Sequence, residues 1–117
     1  MIHSQIELYA VIYDSINHEP YLISKHNDAT MPSITIDLNC KNLNYLLSSL
    51  FEDICQLSAQ YVKFTSLEPM IRNNTLVLPY HVIIPQNTEI NTNRYQYIPV
   101  LSYNYDSEIL RKVFNFI

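Results

Sequence analysis

The sequence predicts an α+β domain in which a mixed β-sheet is packed between two helices. Three observations carry the prediction. Residues 5–14 alternate, with Ile6, Leu8, Ala10 and Ile12 on one face and Glu7, Tyr9, Val11 and Tyr13 on the other, which is the period of a strand. Leu43, Leu46, Leu47, Leu50, Phe51, Ile54 and Leu57 recur at helical spacing and form one apolar stripe. A second helical stripe runs through Ile109, Leu110, Val113, Phe114 and Ile117.

The elements follow in order. The first strand has one fully apolar face and one mixed face. Residues 14–19 form a turn, and Pro20 opens a second strand over 21–25, because the first residue of a strand need not donate to the ladder. The two strands form an antiparallel hairpin. A polar loop covers 26–31, and residues 31–36 are short and extended. Asp37, Asn39 and Asn42 are candidate caps for the first helix. On that helix Ser49, Glu52, Asp53 and Gln56 fall away from the apolar stripe, Glu52 nearly opposite it and Asp53 flanking it. Three strands are predicted next: residues 59–67 (with Tyr61, Val62 and Phe64), residues 75–84, and residues 95–103, the last interrupted by Pro99. Pro79 within 75–84 demands an edge position or a bulge. Residues 72–74 form a turn, 85–94 a polar loop, and Asp106 or Ser107 caps the final helix. With no repeat, low-complexity tract or linker, residues 1–117 read as a single domain.

Composition narrows the functional classes. Of 117 residues 48% are hydrophobic and 15% charged, enough to bury a core. The net charge of −4 argues against direct nucleic-acid binding, which needs a basic surface. No stretch reaches the roughly 18 apolar residues of a membrane span. Residues 1–9 carry Glu7 and no Lys or Arg, unlike a secretory signal, so the expected compartment is the cytoplasm. Cys40 and Cys55 lie far apart, and His3, His18, His26 and His81 show no ligand spacing, so neither a disulfide framework nor a zinc site is expected. Glycine is absent, which excludes a Gly-rich phosphate loop. Abundant Asn can take left-handed turn positions in its place. The bias toward Asn, Ile, Tyr and Lys suits an AT-rich genome, such as that of some viruses or phages, where the compartment would be the virion.

Other constellations are thin. A Ser/His/Asp triad has no G-x-S-x-G elbow to stand on. Cys55 and His81 form a conceivable thiol and base, but the plain reading is one residue near a helix end and one alternating along a strand. Ten tyrosines are present, and Tyr95, Tyr97, Tyr103 and Tyr105 cluster beside the polar loop 86–94. Tyrosine is favoured at protein interfaces, so these four are the candidate interaction residues. The alternative is ordinary packing along a strand.

The helix and the segment before it resemble the Nudix hydrolases. That family places a strand hairpin, a Pro-Gly-Gly turn and a helix with the pattern G-x5-E-x7-R-E-U-x-E-E-x-G-U, where U is bulky and apolar. Met31-Pro32-Ser33-Ile34 resembles the turn, and residues 48–55 (Ser-Ser-Leu-Phe-Glu-Asp-Ile-Cys) resemble the R-E-U-x-E-E-x-G segment, with no gap between them. The departures are many. Ser33 and Ile34 replace the turn glycines, Cys40 the first Glu, Ser48 the Arg, Ser49 the next Glu, and Cys55 the last Gly, while Glu52 and Asp53 keep the acidic pair. In the family the helix carboxylates hold Mg²⁺ or Mn²⁺ against a pyrophosphate, since a hard cation wants several oxygens. The resemblance therefore implies a Nudix-like fold with a degenerate motif. The function expected is a non-catalytic protein-binding or assembly subunit, with a protein partner or a second copy of itself and no cofactor. The alternative is a divergent pyrophosphohydrolase with Mg or Mn on Glu52 and Asp53 and the missing oxygens supplied by a loop residue such as Glu89. An acidic pair on the outer face of a helix is otherwise commonplace.

Overall fold

The structure is a computed structural model, and it describes residues 3–14, 16, 19–26, 30–36 and 42–100. The elements are β1 (His3–Tyr13), β2 (Pro20–Lys25), β3 (Ser33–Thr35), α1 (Leu43–Ile54), β4 (Thr65–Ser66), β5 (Met70–Arg72), β6 (Thr75–Ile84) and β7 (Tyr95–Pro99). They form one mixed sheet in the order β4-β6-β1-β2-β7, with β3 paired to β1 and β5 to β6. The final helix expected from residues 109–117, the cap candidates Asp37, Asn39, Asp106 and Ser107, and Cys40, His18, Tyr103 and Tyr105 lie outside the described residues.

β1 is the centre of the sheet. One of its edges pairs in parallel with β6 along nearly its whole length, from His3 beside Thr75 to Ile12 beside Ile84. The other edge is shared. Val11, Ile12 and Tyr13 pair antiparallel with Leu22, Tyr21 and Pro20, the hairpin the sequence predicts. Gln5, Ile6 and Glu7 pair with Thr35, Ile34 and Ser33 of β3. β2 pairs with β1 only over Pro20–Leu22, while its other edge runs with β7 from Tyr21 opposite Pro99 to Lys25 opposite Tyr95. The sheet therefore forks, with β2 and β7 on one prong and β3 on the other.

The apolar face of β1 (Ile6, Leu8, Ala10, Ile12) packs with Ile23, Val82 and Ile84 against Leu47, Leu50, Phe51 and Ile54 of α1. Burying each such side chain is worth about 1.5–3 kcal/mol. The mixed face is buried as well. Tyr9 and Val11 pack with Leu22, Met31, Leu67 and Val100, and Glu7 is only 5% exposed. Glu7 accepts hydrogen bonds from the Tyr9 hydroxyl and from Arg72 Nη1, the latter at 3.0 Å. Burial first, then the Glu7 carboxylate, holds the Tyr9 hydroxyl far above its ordinary range.

Asn42 is the cap of α1, its side chain accepting the Asn44 N–H at 2.9 Å. The helix stops at Ile54, short of the Leu57 that the stripe reaches. Cys55 is extended and makes a β-bridge with Ile90, and Asn91 N–H donates to the Ile54 carbonyl at 2.7 Å. A loop thus supplies the partner that a further helical turn would have supplied.

The strand expected over 59–67 is not formed as such. Ala59–Tyr61 is a 3₁₀ turn and only Thr65–Ser66 joins the sheet. Phe64 packs edge-on against Phe51 at 5.7 Å, so this segment covers the helix rather than extending the ladder. The turn at 72–74 is a tight hairpin between β5 and β6, with Asn73 at φ 50° and Asn74 at φ 62°. Asparagine takes the left-handed positions in a chain without glycine, as expected. β6 lies inside the sheet, so Pro79 is not on an edge strand. The outer ladder advances four residues from Ser66 to Met70 while β6 advances three from Tyr80 to Val77, a bulge at Pro79, whose carbonyl still accepts Leu67 N–H at 2.9 Å.

Candidate functional site

The fork encloses a cavity of about 680 Å³. Lys25 and His26 come from the end of β2, Ser33 and Ile34 from β3, Ser49, Leu50 and Asp53 from α1, and Asn93, Arg94 and Tyr95 from the loop entering β7. Helical period places Ser49 and Asp53, four apart, on one side of α1. The loop is locked by its own turn chemistry. Asn91 accepts at its side chain from Asn93 N–H (3.2 Å) and at its carbonyl from Arg94 N–H (3.2 Å) and Tyr95 N–H (2.9 Å). It is tied to the helix end through Ile54 and to β2 through His26 N–H on the Arg94 carbonyl at 3.0 Å. Lys25 Nζ donates to Ser33 Oγ at 3.3 Å, across the fork.

Asp53 is fully engaged. Arg94 Nη1 donates to Oδ1 at 2.8 Å and the Tyr95 hydroxyl to Oδ2 at 2.6 Å. Burial, then the Asp53 carboxylate, holds the Tyr95 hydroxyl protonated far above its ordinary range. Glu52 is exposed and lines a smaller cavity of about 440 Å³ with Asp53, Cys55, Gln56 and the 90–93 loop. Glu89 is exposed and lines neither cavity. Among the described residues no group of three or more His, Cys, Asp or Glu side chains is placed to hold a metal ion. Among the described residues, Asp53 has each carboxylate oxygen hydrogen-bonded to protein, and Ser49 stands at the neighbouring ligand position of the motif.

Of the four tyrosines proposed as an interface, Tyr95 is buried at 5% exposure and is a wall of the cavity rather than a contact surface. Its place opposite Lys25 on the helix side of β7 is what buries it. Tyr97 is 43% exposed and packs edge-on against Tyr21 at 6.2 Å. Cys55 and His81 are not brought together. The Cys55 thiol is buried in the α1-side core, donates to the Phe51 carbonyl at 3.5 Å, and is pushed up by burial. His81 alternates with the core residues Val82 and Ile84, so it faces the other side of the sheet, with Nδ1 3.1 Å from the Tyr9 carbonyl. Lys25 and His26 are not legible in the sequence as site residues, whereas Ser33 stands in the turn segment of the motif resemblance and Arg94 ends the polar loop beside the candidate tyrosines. The one local sign was Asn91-x-Asn93, an Asx-type turn ahead of a strand.

No protein-family model matches the sequence, and no curated protein matches it. Among solved structures, the C-terminal domain of mouse MUTYH, seen in complex with human PCNA, is similar at a TM-score of 0.71 with 14% identity, over 98% of this chain and 86% of that one. A Caenorhabditis elegans Ap4A hydrolase is similar at a TM-score of 0.63 with 10% identity, over 99% of this chain and 98% of that one. The Nudix domain of Shewanella oneidensis NrtR, seen with ADP-ribose, is similar at a TM-score of 0.58 with 11% identity, over 99% and 86%. The chain has a Nudix-like fold.

Proposed function

We propose that this chain is a non-catalytic Nudix-like binding domain that acts through contact with a protein partner. The observation that carries the reading is the state of Asp53. Of the retained pair of helix acids, Asp53 accepts from Arg94 on one oxygen and from Tyr95 on the other, and Glu52 is exposed and does not line the fork cavity. Ser48 and Ser49 stand where the motif has an arginine and a glutamate. The partner half of the reading is supported by the likeness to the MUTYH domain seen with PCNA and by the exposed Tyr97 on β7, an edge strand among the described residues. Direct nucleic-acid binding is disfavoured by the net charge of −4. No helix among the described residues is long and apolar enough to cross a membrane, and the proposed compartment is the cytoplasm, or the virion for a viral assembly subunit.

A second reading, a divergent Mg²⁺- or Mn²⁺-dependent pyrophosphohydrolase, is favoured by one fact. Ser33, Ile34, Ser49, Leu50 and Asp53, five positions of the turn and motif register, do line one cavity. Incubation with nucleoside-diphosphate-linked compounds, ADP-ribose among them, decides between the two. With either metal the folded protein is expected to show no turnover above buffer. Metal-dependent turnover that Glu52→Ala with Asp53→Ala abolishes would establish the hydrolase instead.

A further inference from the structure

The cavity in the fork has more hydrogen-bond donors than acceptors. Among its described lining residues Asp53 is the single carboxylate, and each of its oxygens already accepts from a protein donor. Arg94 spends its charge on Asp53, whereas Lys25 pairs with no carboxylate among the described residues and donates only to the Ser33 hydroxyl. Lys25 is half-buried, and among the described residues it meets no counter-ion, so an anion entering the cavity meets an uncompensated ammonium. The hydroxyls of Ser33 and Ser49 and the amide of Asn93 line the same space and can donate to an oxyanion. Ile34 and Leu50 give the cavity an apolar wall, which suits an organic body behind the anionic group. The volume of about 680 Å³ is that of a small-molecule site.

We propose that the fork cavity binds the phosphate group of a small organic phosphate monoester directly, without a metal ion, with Lys25 as the principal counter-charge. The proposal rests on the non-catalytic reading, since a metal-filled site would place a cation where this one places the anion. An ammonium with no carboxylate partner among the described residues, flanked by hydroxyls, matches a compact tetrahedral oxyanion.

The test is an NMR titration of isotope-labelled protein with ribose 5-phosphate in EDTA, with acetate as a second probe. Saturable shifts are expected at residues 25, 26, 33, 49, 93 and 94. Lys25→Met should weaken binding at least tenfold, and Lys25→Arg should hold it within a few-fold. If Lys25→Met does not fold, Ser49→Asp, which places a second carboxylate in the cavity from the helix surface, should abolish the shifts. Absence of saturable shifts, undiminished binding by Lys25→Met or Ser49→Asp, or acetate binding as tight as the ester would each overturn the proposal. If the ester fails to bind and no metal-dependent turnover is found, this site falls while the non-catalytic reading stands. Metal-dependent turnover removes both.

Discussion

A carboxylate with two protein donors behaves differently from one with none. At Asp53 the arginine is well exposed, so the ion pair itself contributes about 0.2–1 kcal/mol. The Tyr95 hydroxyl is the stronger tie, because it is buried. Asp53→Asn is expected to shift the unfolding midpoint only slightly, whereas Tyr95→Phe should cost on the order of 1 kcal/mol, both read by urea denaturation. Glu7 is the harder case. It is buried, and Arg72 is its cation. Arg72→Met leaves an acid without its counter-charge, and the cost expected is about 1–3 kcal/mol, discounted because the arginine is 46% exposed. His81 gives a pH dependence. Burial lowers its folded-state pKa, so the unfolded chain takes up the proton first as the pH falls. Stability is therefore expected to decline as pH drops below about 6.5, and His81→Gln should flatten that decline in urea midpoints measured across the range.

Elements with strong local periodicity were legible in the sequence, and elements defined by their partners were not. β1, β2 and α1 each bury a face whose period shows in the residues. β4 and β5 are two and three residues long and exist only because β6 lies beside them. The same divide separates the site residues. Ser49 and Asp53 follow from the helical period, while Lys25 and Arg94 reach the cavity through the β2–β7 pairing and the Asn91 turn, contacts between distant parts of the chain. Two substitutions test the elements. Phe51→Ala removes a fully buried ring that also holds Phe64, and a loss of about 3–5 kcal/mol is expected in denaturant midpoints. Asn74→Ala forces a residue with a β-carbon and no local hydrogen-bonding group into the left-handed region, costing about 1 kcal/mol, whereas Asn74→Gly should be tolerated.

At the scale of the molecule, charge and cavity point in different directions. The chain as a whole is acidic at −4, yet the only uncompensated side-chain charge among the described cavity residues is positive. An anionic ligand would thus approach against the overall field and be captured locally. Its affinity is expected to change little, or to strengthen slightly, as salt screens the distant acids, in contrast to the steep salt weakening of a nucleic-acid binder. Isothermal titration at two ionic strengths reads the difference.

The parallel pairing of β1 with β6 also has a consequence for how the chain is made. β1, made before the other described strands, has both its faces destined for burial, and the partner for its longest edge ends at Ile84. Until that strand emerges, β1 can pair only with the short segments β2 and β3, leaving an apolar edge open over most of its length. Closing a loop of about 70 residues must precede the central contact, which places this domain among the slow folders of its size. A nascent chain halted before residue 75 should be digested quickly by protease and recruit chaperones. One halted past residue 84, with that stretch clear of the exit tunnel, should begin to resist.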